Sequence, residues 1–200
     1  MKIITTLALV ALSLSAEVKE DTIELVKPLI SYTSTQDAKD DVKAVYAEIK
    51  AAYGVVPEPI KGLSLNPKML RNQWEAYKIM GENKNFSPMM TTMMRMLVAE
   101  NHHCKFCVGF NQGMLINLFK LPANEVATLQ KDPSTARLDA KQKAMLLFMI
   151  KSTTNPSDVS RKDIEALKKL GWSEKDIMEG VKQASEMVAT SLFIDTFKIE

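Results

Sequence analysis

The chain has 200 residues, a formal net charge of +2, and ordinary shares of hydrophobic (46%) and charged (25%) side chains. That length supports one domain with a real core. Its interleaved acids and bases argue against nucleic acid as a partner. Glycine is scarce, and no phosphate-cradling loop or dinucleotide fingerprint occurs.

Lys2 gives a short positive start, Ile3 to Leu14 is nearly all apolar, and Ser13 to Ala16 are mostly small residues. This is the pattern of a secretory signal over residues 1–16. The apolar run is too short to span a bilayer comfortably. The expectation is a periplasmic or secreted protein with no membrane partner once the signal is removed. Residues 17–40 then read as a lead-in, with a short helix ending near Pro28, and residues 41–200 as one domain.

In the domain, Ser34 or Thr35 offers a cap for a helix whose stripe is Val42, Val45, Tyr46, Ile49 and Tyr53, stopped by Gly54. Val55 to Pro59 is a stiff connector. Ile60 to Leu65 reads as a short helix. Asn66-Pro67 and Ser87-Pro88 each place a capping side chain before a proline at the first helical position. The helix after Ser87 carries Met89, Met90, Met93, Met94 and Met96. Thioethers suit Cu(I), but methionine also fills irregular cores, and packing accounts for Met89, Met93 and Met96 on one side of the helix without metal. Ala123 to Gln130 reads as a short helix. Asp139 with Gln142, Ser160 with Asp163, and Ser173 with Asp176 open three more. No stretch alternates with period two. The pattern predicts an all-α domain of about seven or eight helices.

Both cysteines and both histidines fall between His102 and Cys107, in the stretch ENHHCKFCVGFN from Glu100 to Asn111. Covalent haem attachment needs histidine where Val108 stands. A closed zinc site needs four ligands, and contiguous His102, His103 and Cys104 cannot easily wrap one ion. The strands of a thioredoxin fold are absent. What remains is a dithiol on a helix. If the helix starts near Cys104, its free N–H groups and dipole favour a thiolate there. Cys107 lies one turn along, and Asn111 one further turn on the same face, within reach of the Cys107 sulfur. So short a ring stabilises little by chain entropy, which favours redox use over a purely structural disulfide.

VPEPIKGLSLNPKMLRNQWEAY, LVAENHHCKFC and LDAKQKAMLLFMIKSTTNPSDVSRKDIEALKKLGWSEKDIMEGV resemble the carboxymuconolactone decarboxylase / alkylhydroperoxidase D-like family, in its peroxidase-related branch. The resemblance implies an alkylhydroperoxidase D-like helical bundle that assembles as a homo-oligomer, a trimer or hexamer. It implies a peroxidatic Cys107, a resolving Cys104, a peroxide or disulfide substrate, an external thiol electron donor, and neither an organic cofactor nor a metal. The family's relay histidine and glutamate fall at Asn111 and at or near Thr92. Glu100, His102 and His103 are the nearest substitutes. Decarboxylation is disfavoured, because that branch does not depend on C-x-x-C. Loss of the relay also admits a catalytically silent oligomeric protein that binds a ligand, partner or metal and keeps its cysteines paired.

Overall fold

The computed structural model describes residues 27–199, which form α-helices α1 (Asp40–Tyr53), α2 (Glu58–Lys61), α3 (Pro67–Met80), α4 (Pro88–Asn101), α5 (Lys105–Asn117), α6 (Ala123–Lys131), α7 (Ala140–Thr154), α8 (Arg161–Lys169) and α9 (Glu174–Phe197). Short 3₁₀ turns follow α2, α6 and α7, and no strand occurs among the described residues. The all-α expectation holds. The count exceeds it because α2 is a single turn. The signal expected over 1–16 and the first part of the lead-in, residues 17–26, lie outside the described residues.

Side chains set most helix starts. Asn66 accepts from the Met69 amide, Ser87 from Met90, and Asp139 from Gln142. Ser160 and Ser173 form reciprocal capping boxes with Asp163 and Asp176. The Asp139 box is only half made. The Gln142 amide instead donates to the Asn85 carbonyl at 2.6 Å and accepts from Ser87, tying the start of α7 to the start of α4. The expected cap of α1 is not observed. Ser34 closes a separate turn with Asp37, Asp40 is left-handed (φ 46°), and α1 starts at Asp40 behind Lys39, whose side chain makes no cap. Thr33 belongs to the domain rather than to a loose lead-in, since its carbonyl accepts from the Tyr46 hydroxyl at 2.9 Å and its amide donates to Ser64 Oγ at 2.8 Å.

Two apolar clusters result. The smaller joins α1 to α3 through Val45, Ile49, Leu70 and Trp74. The larger is built around α4, which packs on α5, α7 and α9 and is buried on nearly every side. Met90, Met93, Met94 and Met96 lie inside it among Met145, Met149 and Met187. These methionines are core. Gly180 lets α9 approach α7 closely: a Cβ there would meet Met145 Sδ at 3.2 Å and Met149 Cε at 3.3 Å.

The clusters meet along a largely polar seam. Gln73 on α3 donates to Glu186 on α9 at 2.9 Å, and Gln183 donates to the Met80 carbonyl at 3.3 Å. One apolar contact joins them tightly: Gly62 faces Phe193 and Ile199, where a Cβ would come within 2.7 Å of the isoleucine.

Candidate active site

The turn between α4 and α5 positions the cysteines. Cys104 N–H reaches back to the Ala99 carbonyl at 3.1 Å and His103 N–H to Glu100 at 3.1 Å. This six-to-one plus five-to-two pattern is a Schellman ending, with His103 in the left-handed position at φ 60° where glycine is usual. The same Cys104 then caps α5: its Sγ accepts from the Cys107 amide at 3.4 Å. One residue thus closes one helix and opens the next. The helix start expected at Cys104 is observed.

Cys104 and Cys107 form a disulfide with Cα atoms 5.3 Å apart. Both are buried, at 0% and 3% exposure, so a reactant can reach the sulfurs only if neighbouring groups move or open. Cys107 Sγ accepts a long contact from Ser191 Oγ at 3.9 Å, a residue of α9 that also donates to the Met187 carbonyl.

Asn111 is buried one turn beyond Cys107, but its amide does not turn to the sulfur. Nδ2 donates to the Cys107 carbonyl at 2.8 Å, and Oδ1 accepts from Arg95 Nε at 3.0 Å. Arg95 Nη2 donates to Thr92 Oγ1 at 2.9 Å, and Thr92 itself donates to the Pro88 carbonyl. The two positions where the resemblance puts a relay glutamate and histidine are therefore joined by one guanidinium. Burial pushes the Arg95 pKa below the usual arginine value, while Tyr53 and Tyr77 favour the charge. Burial raises the pKa of both tyrosines.

The other expected substitutes do not converge on the sulfurs. Glu100 is exposed, and its carboxylate accepts from Gln130 on α6 at 3.1 Å. His103 is exposed on the turn. His102 has a buried Nε2 without a hydrogen-bond partner among the described residues. Sequence reasoning missed Arg95 and Ser191. Arg95 had a signal, being the only charged residue in the run from Pro88 to Ala99. Ser191 had none, lying 84 residues from Cys107.

The described residues form an all-helical bundle with a C-x-x-C disulfide across a helix N-terminus. The fold is that of the alkylhydroperoxidase AhpD core. The solved structure of an uncharacterized peroxidase-related protein from Ralstonia eutropha JMP134, described as an AhpD core, superposes with a TM-score of 0.74 at 18% identity, over 86% of this chain and 91% of that one. A peroxidase-related protein from Silicibacter sp. TM1040 gives 0.73 at 19% identity, with the same coverage of 86% and 91%. The debrominase Bmp8 in its apo form gives 0.69 at 14% identity, again over 86% and 91%. No family model matches the chain, and no curated protein matches it in sequence.

Proposed function

We propose that this protein is an exported thiol-dependent oxidoreductase in which Cys107 and Cys104 alternate between dithiol and disulfide while reducing a peroxide. The observation that carries this reading is the Cys104–Cys107 disulfide across the start of α5, with Cys104 Sγ held by the Cys107 amide. That amide and the helix dipole favour Cys104 as a thiolate, which makes it both a good resolving nucleophile and a good leaving group. Cys107 faces Ser191 and, through its carbonyl, the Asn111–Arg95 pair.

The chemistry balances as follows. The reduced Cys107 sulfur attacks the hydroperoxide, forming an S–O bond as the O–O bond breaks. The alcohol departs with the proton the thiol lost, carried by solvent. Cys104 then attacks the sulfenic sulfur, releasing water and closing the disulfide. An external dithiol attacks Cys107 and expels the Cys104 thiolate, and its second thiol completes the reduction. Export, supported by the composition of residues 1–16, would require a donor dedicated to an oxidising compartment.

A second reading is a silent binding protein with a structural disulfide. The burial of both sulfurs favours it. A thiol time course separates the two. The protein is reduced, freed of reductant, exposed to an organic hydroperoxide at neutral pH, and its thiols are trapped for mass analysis, beside Cys104→Ser and Cys107→Ser. Rapid loss of both thiols, with a sulfenic acid on Cys107 in Cys104→Ser, supports the peroxidase. Oxidation no faster than that of free cysteine sinks it.

A further inference from the structure

Arg95 is a charge without a counter-charge. Among the described residues it forms no ion pair, and its two hydrogen bonds go to neutral acceptors, Asn111 Oδ1 and Thr92 Oγ1. Its Nη1 makes no hydrogen bond to a described residue. Arginine stays charged in proteins, and a desolvated charge left without a partner is costly. The side chain is nevertheless partly accessible. Tyr53, at the end of α1 and 56% exposed, and Tyr77 on α3 are neutral neighbours of the guanidinium and supply no counter-charge. Glu186, the carboxylate on the seam between the two clusters, is already engaged by Gln73 at 2.9 Å and Lys182 at 2.8 Å. It does not neutralise Arg95.

We propose that Arg95 is an anion-binding residue of the Cys107 site, so that the substrate carries a carboxylate which seats on the free side of the guanidinium. This rests on the peroxidase reading for the reacting end of the substrate, but not for the binding of its charged end. Nε and Nη2 are occupied by Asn111 and Thr92, which fix the guanidinium plane and leave Nη1 to the ligand. Through Asn111, the guanidinium that seats the anion is two hydrogen bonds from the Cys107 backbone. A guanidinium pre-oriented in this way loses little freedom on binding, which favours a carboxylate over a neutral group of similar size.

The test uses linoleic acid 13-hydroperoxide and its methyl ester, which differ only in the carboxylate, with cumene hydroperoxide as a neutral reference. The full mature chain is reduced and its thiol oxidation followed for wild type, Arg95→Gln and Arg95→Lys, each checked by thermal melting. The acid should react about tenfold faster than the ester in wild type, the worth of one charge-assisted hydrogen bond. Arg95→Gln should remove that preference by slowing the acid alone, and Arg95→Lys should retain part of it. In parallel, the unreactive 13-hydroxy acid and its methyl ester are titrated into the disulfide form. The acid should bind more tightly than the ester, with the difference lost in Arg95→Gln.

Equal rates for acid and ester, both well above free cysteine, would overturn the anion site and leave the peroxidase intact. Equal slowing of all three hydroperoxides in Arg95→Gln, with a raised thiol pKa, would overturn it in favour of Arg95 acting on the Cys107 thiolate. Rates no better than free cysteine for every hydroperoxide would remove the peroxidase. The titration then still decides: equal binding of hydroxy acid and ester overturns the site, and Arg95-dependent preference for the acid upholds it.

Discussion

The two clusters are stabilised by different means. The N-terminal one, α1 to α3, has a modest core and is braced by charge. Glu48 accepts from Arg71 at 2.6 Å and from the Trp74 indole at 2.8 Å, and pairs with Lys78. The hydrogen bonds from Arg71 and Trp74 hold the Glu48 carboxyl below the usual carboxylate range. Glu48 is an exposed side chain, so such pairs hold geometry more than they add stability. The C-terminal cluster does the reverse. Its α4 buries methionines on nearly every side, so dispersion and burial dominate. The cysteines belong to this second cluster, and so do the polar groups near them, Ser191, Asn111, Arg95 and Thr92, which hydrogen-bond within it.

The largest expected effect tests whether the small cluster stands alone. Met93→Ala and Ile49→Ala each remove a fully buried side chain and should cost about 2–5 kcal/mol. Calorimetry should show one transition in both variants, because the small cluster buries too little to fold by itself. Two resolved transitions would split the molecule into independent halves.

Asp176 comes next. Burial raises its pKa, but hydrogen bonds from Asn85, Ser173 and Asn83 outweigh burial and hold the carboxyl well below the usual range. A depressed folded pKa means the stabilisation is fully present above the unfolded value of about 3.9, and is lost as pH falls from there through the folded value. Asp176→Ala should cost about 1–3 kcal/mol at neutral pH, since it removes the hydrogen bonds from Asn83, Asn85 and Ser173 and the capping box of α9. Denaturant melts at several pH values should show the wild type losing stability below about pH 4 more steeply than the variant. Parallel curves would mean that the interactions of Asp176 do not depend on its charge.

The seam itself is addressed by Gly62→Ala. The new methyl meets Ile199 and Phe193, so it should wedge the clusters apart at a cost of about 1–2 kcal/mol. Hydrogen exchange should quicken in α2 and near the end of α9 before it does in α4. Uniform quickening would mean that the seam is no weaker than the cores.

The smallest effect has the opposite sign. His103→Gly relieves a left-handed non-glycine residue at the Schellman position and should stabilise by about 1 kcal/mol, read as a raised melting temperature with the disulfide intact. A loss instead would show that the imidazole makes a contact worth more than its backbone strain.

Much of this was legible in the chain itself. Asn66, Ser87, Asp139, Ser160 and Ser173 announced helix starts, Gly54 announced a stop, and the C-x-x-C announced a dithiol at the head of α5. These features are local, since a cap joins a side chain to an amide two or three residues away and the bond exists wherever the helix does. The failed cap at Ser34 keeps to the same physics: its bond to Asp37 forms, but the left-handed Asp40 prevents it from becoming a helix. Only the tertiary structure decided that Asn111 turns to Arg95 rather than to sulfur, that Glu100 goes to α6, and that Ser191 meets Cys107. Each of those contacts crosses between helices, and helix packing, unlike helix formation, is set by how whole faces of side chains interlock rather than by any short run of residues.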